Sequence, residues 1–189
     1  MTRLRLEGYL FLAGFMACVP VANWLIGHVG TVCVPQGPCL IPVAPGPHGQ
    51  PITAPSGVLM IGLALVLRDL VQRRLGKLWT LGAIVVGTAL SALIAPPALV
   101  TASAVAFLLS ELADFAVYTP LQRRGLVRAV VASAAVGLCV DSVVFLWLAF
   151  GSIDYLEGQI IGKLWMVLLS IPAIRLLRNR DRRLGIQPA

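Results

Sequence analysis

Glu111, Asp114 and Tyr118 stand in residues 108–120, Leu-Leu-Ser-Glu-Leu-Ala-Asp-Phe-Ala-Val-Tyr-Thr-Pro, at the inner end of a long apolar run. On a helix they fall at i, i+3 and i+7, which is one face. An acid inside a membrane span costs about 2.5 to 3.5 kcal/mol, so it is expected to face a partner or a cavity rather than lipid. Two carboxylates and a phenol on one stripe therefore predict the wall of a polar site. Asp141 and Lys163 also lie in apolar stretches, with Gln159 one turn before Lys163 on the same face.

Depth orders this set. With about 1.5 Å of rise per residue, Lys163 is about 12 Å from the outer surface and Asp141 about 10 to 13 Å, so the two can pair. Glu111 and Asp114 lie about 20 to 24 Å in. The plainer role for Asp141 and Lys163 is a buried structural pair. Three acids against one base nevertheless leave negative capacity in excess, to be protonated, paired with Arg68, or used by a substrate or a coupling proton. Arg68 and Asp69 are adjacent near the inner interface, where Arg68 is expected to snorkel to headgroups. Ser133 and Gly137, four apart, are expected at a helix-packing face. Phe145, Trp147, Tyr155 and Trp165 fit packing or an interfacial belt, with stacking on a flat ligand as the functional alternative.

The elements that must position these residues follow from composition. The 189 residues are 58% hydrophobic and 12% charged, about half the charge of a soluble domain. The apolar residues gather in blocks long enough for a bilayer, which takes about 20 residues of helix. This predicts an all-α membrane protein, one domain over 1–189, with six transmembrane helices at about 7–27, 56–76, 78–94, 98–120, 129–150 and 155–177. The first block is too long for a signal-peptide core and has no clean cleavage site, so it reads as a retained span, bent at Pro20. Of the 15 Lys and Arg, all but Lys163 fall in segments that six spans place on one side, while Asp154 and Glu157 fall on the other. The net charge of +7 thus reflects orientation, with both termini cytoplasmic, rather than nucleic-acid binding.

Between the first two spans, residues 28–55 carry Pro at 35, 38, 42, 45, 47, 51 and 55. That density forbids a helix and predicts a constrained outer loop, either a passive linker or a cap over an outer mouth. Cys33 and Cys39 lie in it, on the side where disulfides persist, and are candidates for a bridge. Cys18 and Cys139 lie within spans and read as packing residues. No paired metal-ligand spacing occurs, His28 and His48 sit in the loop, and no metal or other cofactor is expected. Phosphate-binding loops, dinucleotide fingerprints and hydrolase motifs are missing, so no catalytic residues are assigned. Two short echoes appear: Leu67-Arg68-Asp69-Leu70 and Leu109-Ser110-Glu111-Leu112, each followed by Gln-Arg-Arg, and Gly-Lys-Leu-Trp at 76–79 and 162–165.

Ser110 to Tyr118, Ser133 to Gly151 with Val140-Asp141-Ser142 and Phe145, Gly158-Gln159 and Gly162-Lys163 resemble the vitamin-uptake-like queuosine precursor transporter family. Ala54-Pro55 through Arg68-Asp69-Leu70 to Gly76-Lys77 looks like its second span. The resemblance implies uptake of 7-cyano- or 7-aminomethyl-7-deazaguanine across the inner membrane of a bacterium. It also implies six helices like those of the substrate-binding component of energy-coupling-factor vitamin transporters. Glu111, Asp114 or Asp141 would then accept the adjacent N–H donors of a guanine-like edge.

Three readings follow from the sequence. The first is a transporter acting alone on a purine-like solute. The second is a binding subunit that needs a separate ATPase and scaffold, for which Ala13 and Ala17 would suit a docking helix. An intramembrane enzyme or assembly factor is the third. Membrane lipid is a partner in each, and nucleic acid in none.

Overall fold

A computed structural model of the chain describes residues 3–34 and 37–186, so Pro35 in the outer loop lies outside the described residues, as does the side chain of His48. Among the described residues there are six long helices. They are α1 (Arg3–His28), α2 (Val58–Leu75), α3 (Lys77–Ile94), α4 (Val100–Leu121), α5 (Leu126–Phe150) and α6 (Leu156–Arg183). Pro20 is accommodated within a continuous α1, and Pro120 within the last turn of α4. The sixth helix runs past the expected end at 177 to Arg183.

Five of the six are long and apolar enough to cross a membrane; α2 is the one that is not. Its 18 residues include Arg68, Asp69, Arg73 and Arg74. All four are buried, because α2 packs among the other five helices instead of facing outward. A helix surrounded by protein has no need of an apolar exterior, and its polar groups find partners on its neighbours. The apolar surface lies on the helices around it: Leu78, Val85 and Leu93 of α3 and Trp147 of α5 are exposed.

Glu7 near the start of α1 contacts Arg180 near the end of α6 at 2.5 Å, which places both ends of the described chain at one end of the bundle. Arg74 reaches the same Glu7 at 3.1 Å. Arg73 and Arg74 both donate to Asp181, at 2.6 to 3.1 Å. This end is called the arginine end below.

The opposite end corrects the all-helical expectation. The Pro-rich segment forms a three-stranded antiparallel sheet in the order β1 (Val32–Cys33), β2 (Cys39–Pro45), β3 (Pro51–Pro55). The strand β1 pairs only with Cys39 and Leu40, so the rest of β2 has a neighbour on one side alone. Pro42 and Pro45 sit in that one-sided part, where a missing N–H costs no ladder bond. A Cys33–Cys39 disulfide closes the β1–β2 turn. Two bonds moor the sheet to the bundle: Trp165 donates from Nε1 to the Val43 carbonyl at 3.0 Å, and Ser56 donates to the Leu25 carbonyl at 2.7 Å.

Packing inside the bundle is close. One core joins Leu65, Val66 and Leu70 of α2 to Tyr118, Val130, Leu138 and Val167 of α4, α5 and α6. A second joins Phe15 and Val19 of α1 to Ala64, Ala83 and Phe107. Cys18 belongs to this core, but Cys139 is exposed, because its position on α5 faces away from the bundle. At Gly62 a Cβ would stand 2.8 Å from the Lys163 Cα, so α2 and α6 touch backbone to backbone there. Gly62→Leu is expected to force these helices apart and lower stability by about 3 kcal/mol, whereas Ala89→Leu, on the exposed face of α3, leaves it unchanged. Thermal unfolding in detergent measures both, and equal midpoints for the two variants would refute this close approach.

Candidate functional site

The intramembrane polar residues fall into two groups at different levels of the bundle. In the first, Arg68 of α2 is fully buried among carboxylates. It forms ion pairs with Asp69 at 2.6 Å, with Asp114, and with Glu111 at 3.4 Å. The oxygens lie near the guanidinium but off its N–H directions, so these are ion pairs rather than aligned hydrogen bonds. Arg68 also donates to Gln72 at 3.1 Å, and Gln72 in turn donates to Thr119 at 3.0 Å. The rings of Phe115 and Tyr118 flank the guanidinium carbon with centroids at 6.0 and 5.6 Å, within cation–π range. Ser133 donates to Asp69 at 2.7 Å.

Two expectations are corrected by this group. Arg68 does not snorkel to the interface, because it sits on the face of α2 turned towards α4 and three carboxylates hold it there. Ser133 is not merely a packing position, since it supplies a hydrogen bond to a buried acid. The echoed segments Leu-Arg-Asp-Leu and Leu-Ser-Glu-Leu meet here, with Arg68 of the first against Glu111 of the second. Glu111, Asp114 and Tyr118 do share a face, and that face is filled by Arg68 rather than by a void.

The second group lies towards the sheet. Lys163 is buried, and its ammonium reaches Asp141 at 2.6 Å, Ser142 at 2.7 Å, and the Gln159 side-chain oxygen. Three partners match the three N–H donors of a lysine. Ser142 donates its own hydroxyl hydrogen bond to the Leu138 carbonyl at 2.7 Å. The sequence explains the convergence. Asp141 and Ser142 are adjacent on α5, and Gln159 and Lys163 are one turn apart on α6, so two helix faces suffice.

Beside this second group is a cavity. Asp141, Gln159 and Lys163 line it, together with Phe145 from α5, Ser103 and Phe107 from α4, Ser91 from α3, and Val19 and Asn23 from α1. Pro55 and Gly57, where the sheet joins α2, line it as well. Its free volume is about 60 Å³, enough for a few waters and too small for a bicyclic ring. The wall is mostly apolar with a few convergent polar groups, the usual make-up of a small-molecule pocket.

The six residues singled out from the sequence thus separate. Asp141, Gln159 and Lys163 come together at the cavity; Glu111, Asp114 and Tyr118 come together around Arg68 and are not among its lining residues. Of the four aromatics, Phe145 lines the cavity, while Trp147 and Trp165 are 63% and 49% exposed and Tyr155 packs edge-on to Phe150. Sequence reasoning missed Asn23, Ser91 and Ser103. A single small polar residue in an apolar helix carries no spacing signal, so nothing marks these three in advance.

A sequence profile for a family described as "Putative vitamin uptake transporter" matches residues 93–177, just under half of the chain. The matched part is similar to those proteins and takes in α4, α5 and most of α6, including Glu111, Asp114, Asp141, Gln159 and Lys163. Neither a curated protein nor a solved structure matches the chain.

Removing the one cation from the first group leaves buried acids facing each other. Arg68→Met is expected to destabilise the fold by about 3 to 5 kcal/mol. Adding Asp114→Asn to that variant is expected to recover part of the loss, because the two changes share one interaction. Unfolding midpoints in detergent read both effects. An Arg68→Met midpoint equal to that of the parent protein would show that the cluster does not hold the helices together.

Proposed function

We propose that this protein is a membrane importer of a small, flat, donor-rich solute, bound at the cavity beside Asp141, Gln159 and Lys163. The observation that carries the reading is that cavity: an acid, an amide and an ammonium share a mostly apolar wall with the aromatic ring of Phe145. Similarity of residues 93–177 to vitamin uptake transporters supports transport as the activity. Five helices long and apolar enough to cross a bilayer support a multi-pass protein, with α2 running among them as a sixth span. The excess of arginines at the end that holds both termini supports a cytoplasmic location for that end.

The solute we infer is a queuosine precursor, 7-cyano- or 7-aminomethyl-7-deazaguanine, in the inner membrane of a bacterium. A guanine-like edge sets two N–H donors beside a carbonyl oxygen. Asp141 would accept the two donors as a pair, and Lys163 or Gln159 would donate to the carbonyl. Phe145 would cover one face of the ring. A ligand of this size needs more than the free volume present, so binding must spread the wall. The movable part is the side made by α1 and the sheet junction at Pro55 and Gly57. The remaining walls belong to α2, α3, α4, α5 and α6, and the Arg68 cluster and the packed core hold α2, α4, α5 and α6 together.

A second reading is a substrate-binding subunit working with a separate ATPase and scaffold. It is favoured by an open apolar groove of about 460 Å³ between α1 and α3, lined by Leu12, Met16, Trp79 and Val86, with Ala13 and Ala17 exposed nearby. Vesicles containing this protein alone separate the two readings. Accumulation of the 7-deazaguanine supports the importer, and saturable binding without accumulation supports the subunit.

Asp141→Asn and Lys163→Met are each expected to weaken ligand binding by tenfold or more, the range for one charge-assisted hydrogen bond. Ligand-dependent thermal shift measures this, with the unliganded midpoint as the check on folding. Parental affinity in both single variants would remove these residues from the binding site.

A further inference from the structure

We propose that the arginine end carries a second binding site, for a phosphate group, in a cavity between the α4–α5 connection and the last turns of α6. The cavity has a volume of about 310 Å³ and opens beside a further pocket of about 260 Å³. Arg124, Gly125, Arg178 and Arg182 line both, and Arg128 lines the second. Arg178 and Arg182 are one turn apart on α6, so both point into the same concavity. Arg124 and Arg128 bracket the start of α5 and close it from the other side.

Charge balance points to an anion there. Among the described residues, no ion pair involves Arg124, Arg128, Arg178 or Arg182. The one carboxylate on the cavity wall, Asp181, is already engaged by Arg73 and Arg74 through four hydrogen bonds. Arg124, Arg178 and Arg182 therefore line both hollows, with Arg128 in the second, and the one carboxylate nearby is already taken by Arg73 and Arg74. Arg124, Arg128 and Arg182 are exposed, as in the solvated basic fringe that flanks many membrane proteins, and Arg178 is half-buried. What that fringe does not account for is their convergence on a hollow and the Arg178 Nε, which is shut off from solvent and has no hydrogen-bond partner, a costly state for a charged donor.

The backbone adds donors. The 25-residue helix α5 is preceded at its N-cap by Gly125, which has φ +153 and offers no side-chain cap. The free N–H groups of its first turn and the positive end of its dipole lie at the same hollow. Forked guanidinium groups with a helix start match the several oxygens of a phosphate better than they match a single carboxylate. The phosphate can come from a lipid headgroup, since basic pockets between membrane helices hold anionic lipids, or from a soluble phosphate compound.

The test uses the full chain in nanodiscs. Unfolding midpoints are compared in phosphatidylcholine alone, with phosphatidylglycerol or cardiolipin added, and in phosphatidylcholine with inorganic phosphate or pyrophosphate titrated. Arg178→Gln with Arg182→Gln forms one variant, and Arg124→Gln with Arg128→Gln a second. Arg3→Gln with Arg5→Gln removes equal charge from the same end as a control. The expected result is a saturable rise in midpoint for the parent protein and the control, with apparent affinity at least tenfold weaker in each cavity variant. A response to anionic lipid alone assigns the phosphate to a headgroup, and a response to the soluble anions in neutral lipid assigns it to a free phosphate. The proposal is overturned if no probe binds, or if the control loses as much as the cavity variants. If the α6 pair does not fold, the exposed Arg124 and Arg128 pair decides the outcome alone.

Discussion

Everything in this bundle turns on one guanidinium. Arg68 lies in an apolar surround with Asp69, Asp114 and Glu111 against it and two aromatic rings beside it. In lipid there is no hydrophobic force drawing one helix to another, so packing and polar contacts must do it. A buried cation that reaches α4 directly, and α5 through Asp69 and Ser133, fixes α2 in the middle of the bundle. Once α2 is central, the other helices supply the apolar exterior and α2 is free to carry charge. The one long helix that is not apolar enough to qualify as a span is therefore the most enclosed one.

That arrangement leaves two polar levels with different characters. Around Arg68 the acids are filled in by their own counter-ion and the space is packed. Nearer the sheet, Asp141, Gln159, Ser142 and Lys163 form an equally close set that borders free volume. A ligand can exchange with side chains that line a cavity at far smaller cost than with side chains that hold helices together. This difference, rather than the number of charges, makes the level nearer the sheet the binding candidate.

The two ends of the molecule are finished by different means. The sheet end uses Pro-rich strands, a disulfide and two moorings to α1 and α6, and it closes over the cavity without adding charge. At the arginine end, Glu7, Arg73, Arg74, Arg180 and Asp181 clamp α1, α2 and α6 in a shared network. With two acids in that network, Arg73, Arg74 and Arg180 are neutralised, whereas among the described residues Arg124, Arg128, Arg178 and Arg182 at the same end form no ion pair.

Much of this was legible from the residues. Apolar block lengths predicted the helices, proline spacing predicted a non-helical connection, and the positions of Asp141, Gln159 and Lys163 predicted a shared depth. Helical periodicity correctly put Glu111, Asp114 and Tyr118 on one face. Periodicity is a local property of one helix, however, and says nothing of what stands opposite. Whether that face met a void or a cation depended on how far α2 is rotated and how deep it sits, which many weak contacts between distant segments decide. The same holds for the strands of the Pro-rich loop, whose pairing partners lie outside any local pattern. The sequence by itself determined which groups are too polar for lipid; the tertiary structure alone decided which of them are neutralised by one another and which are left facing space.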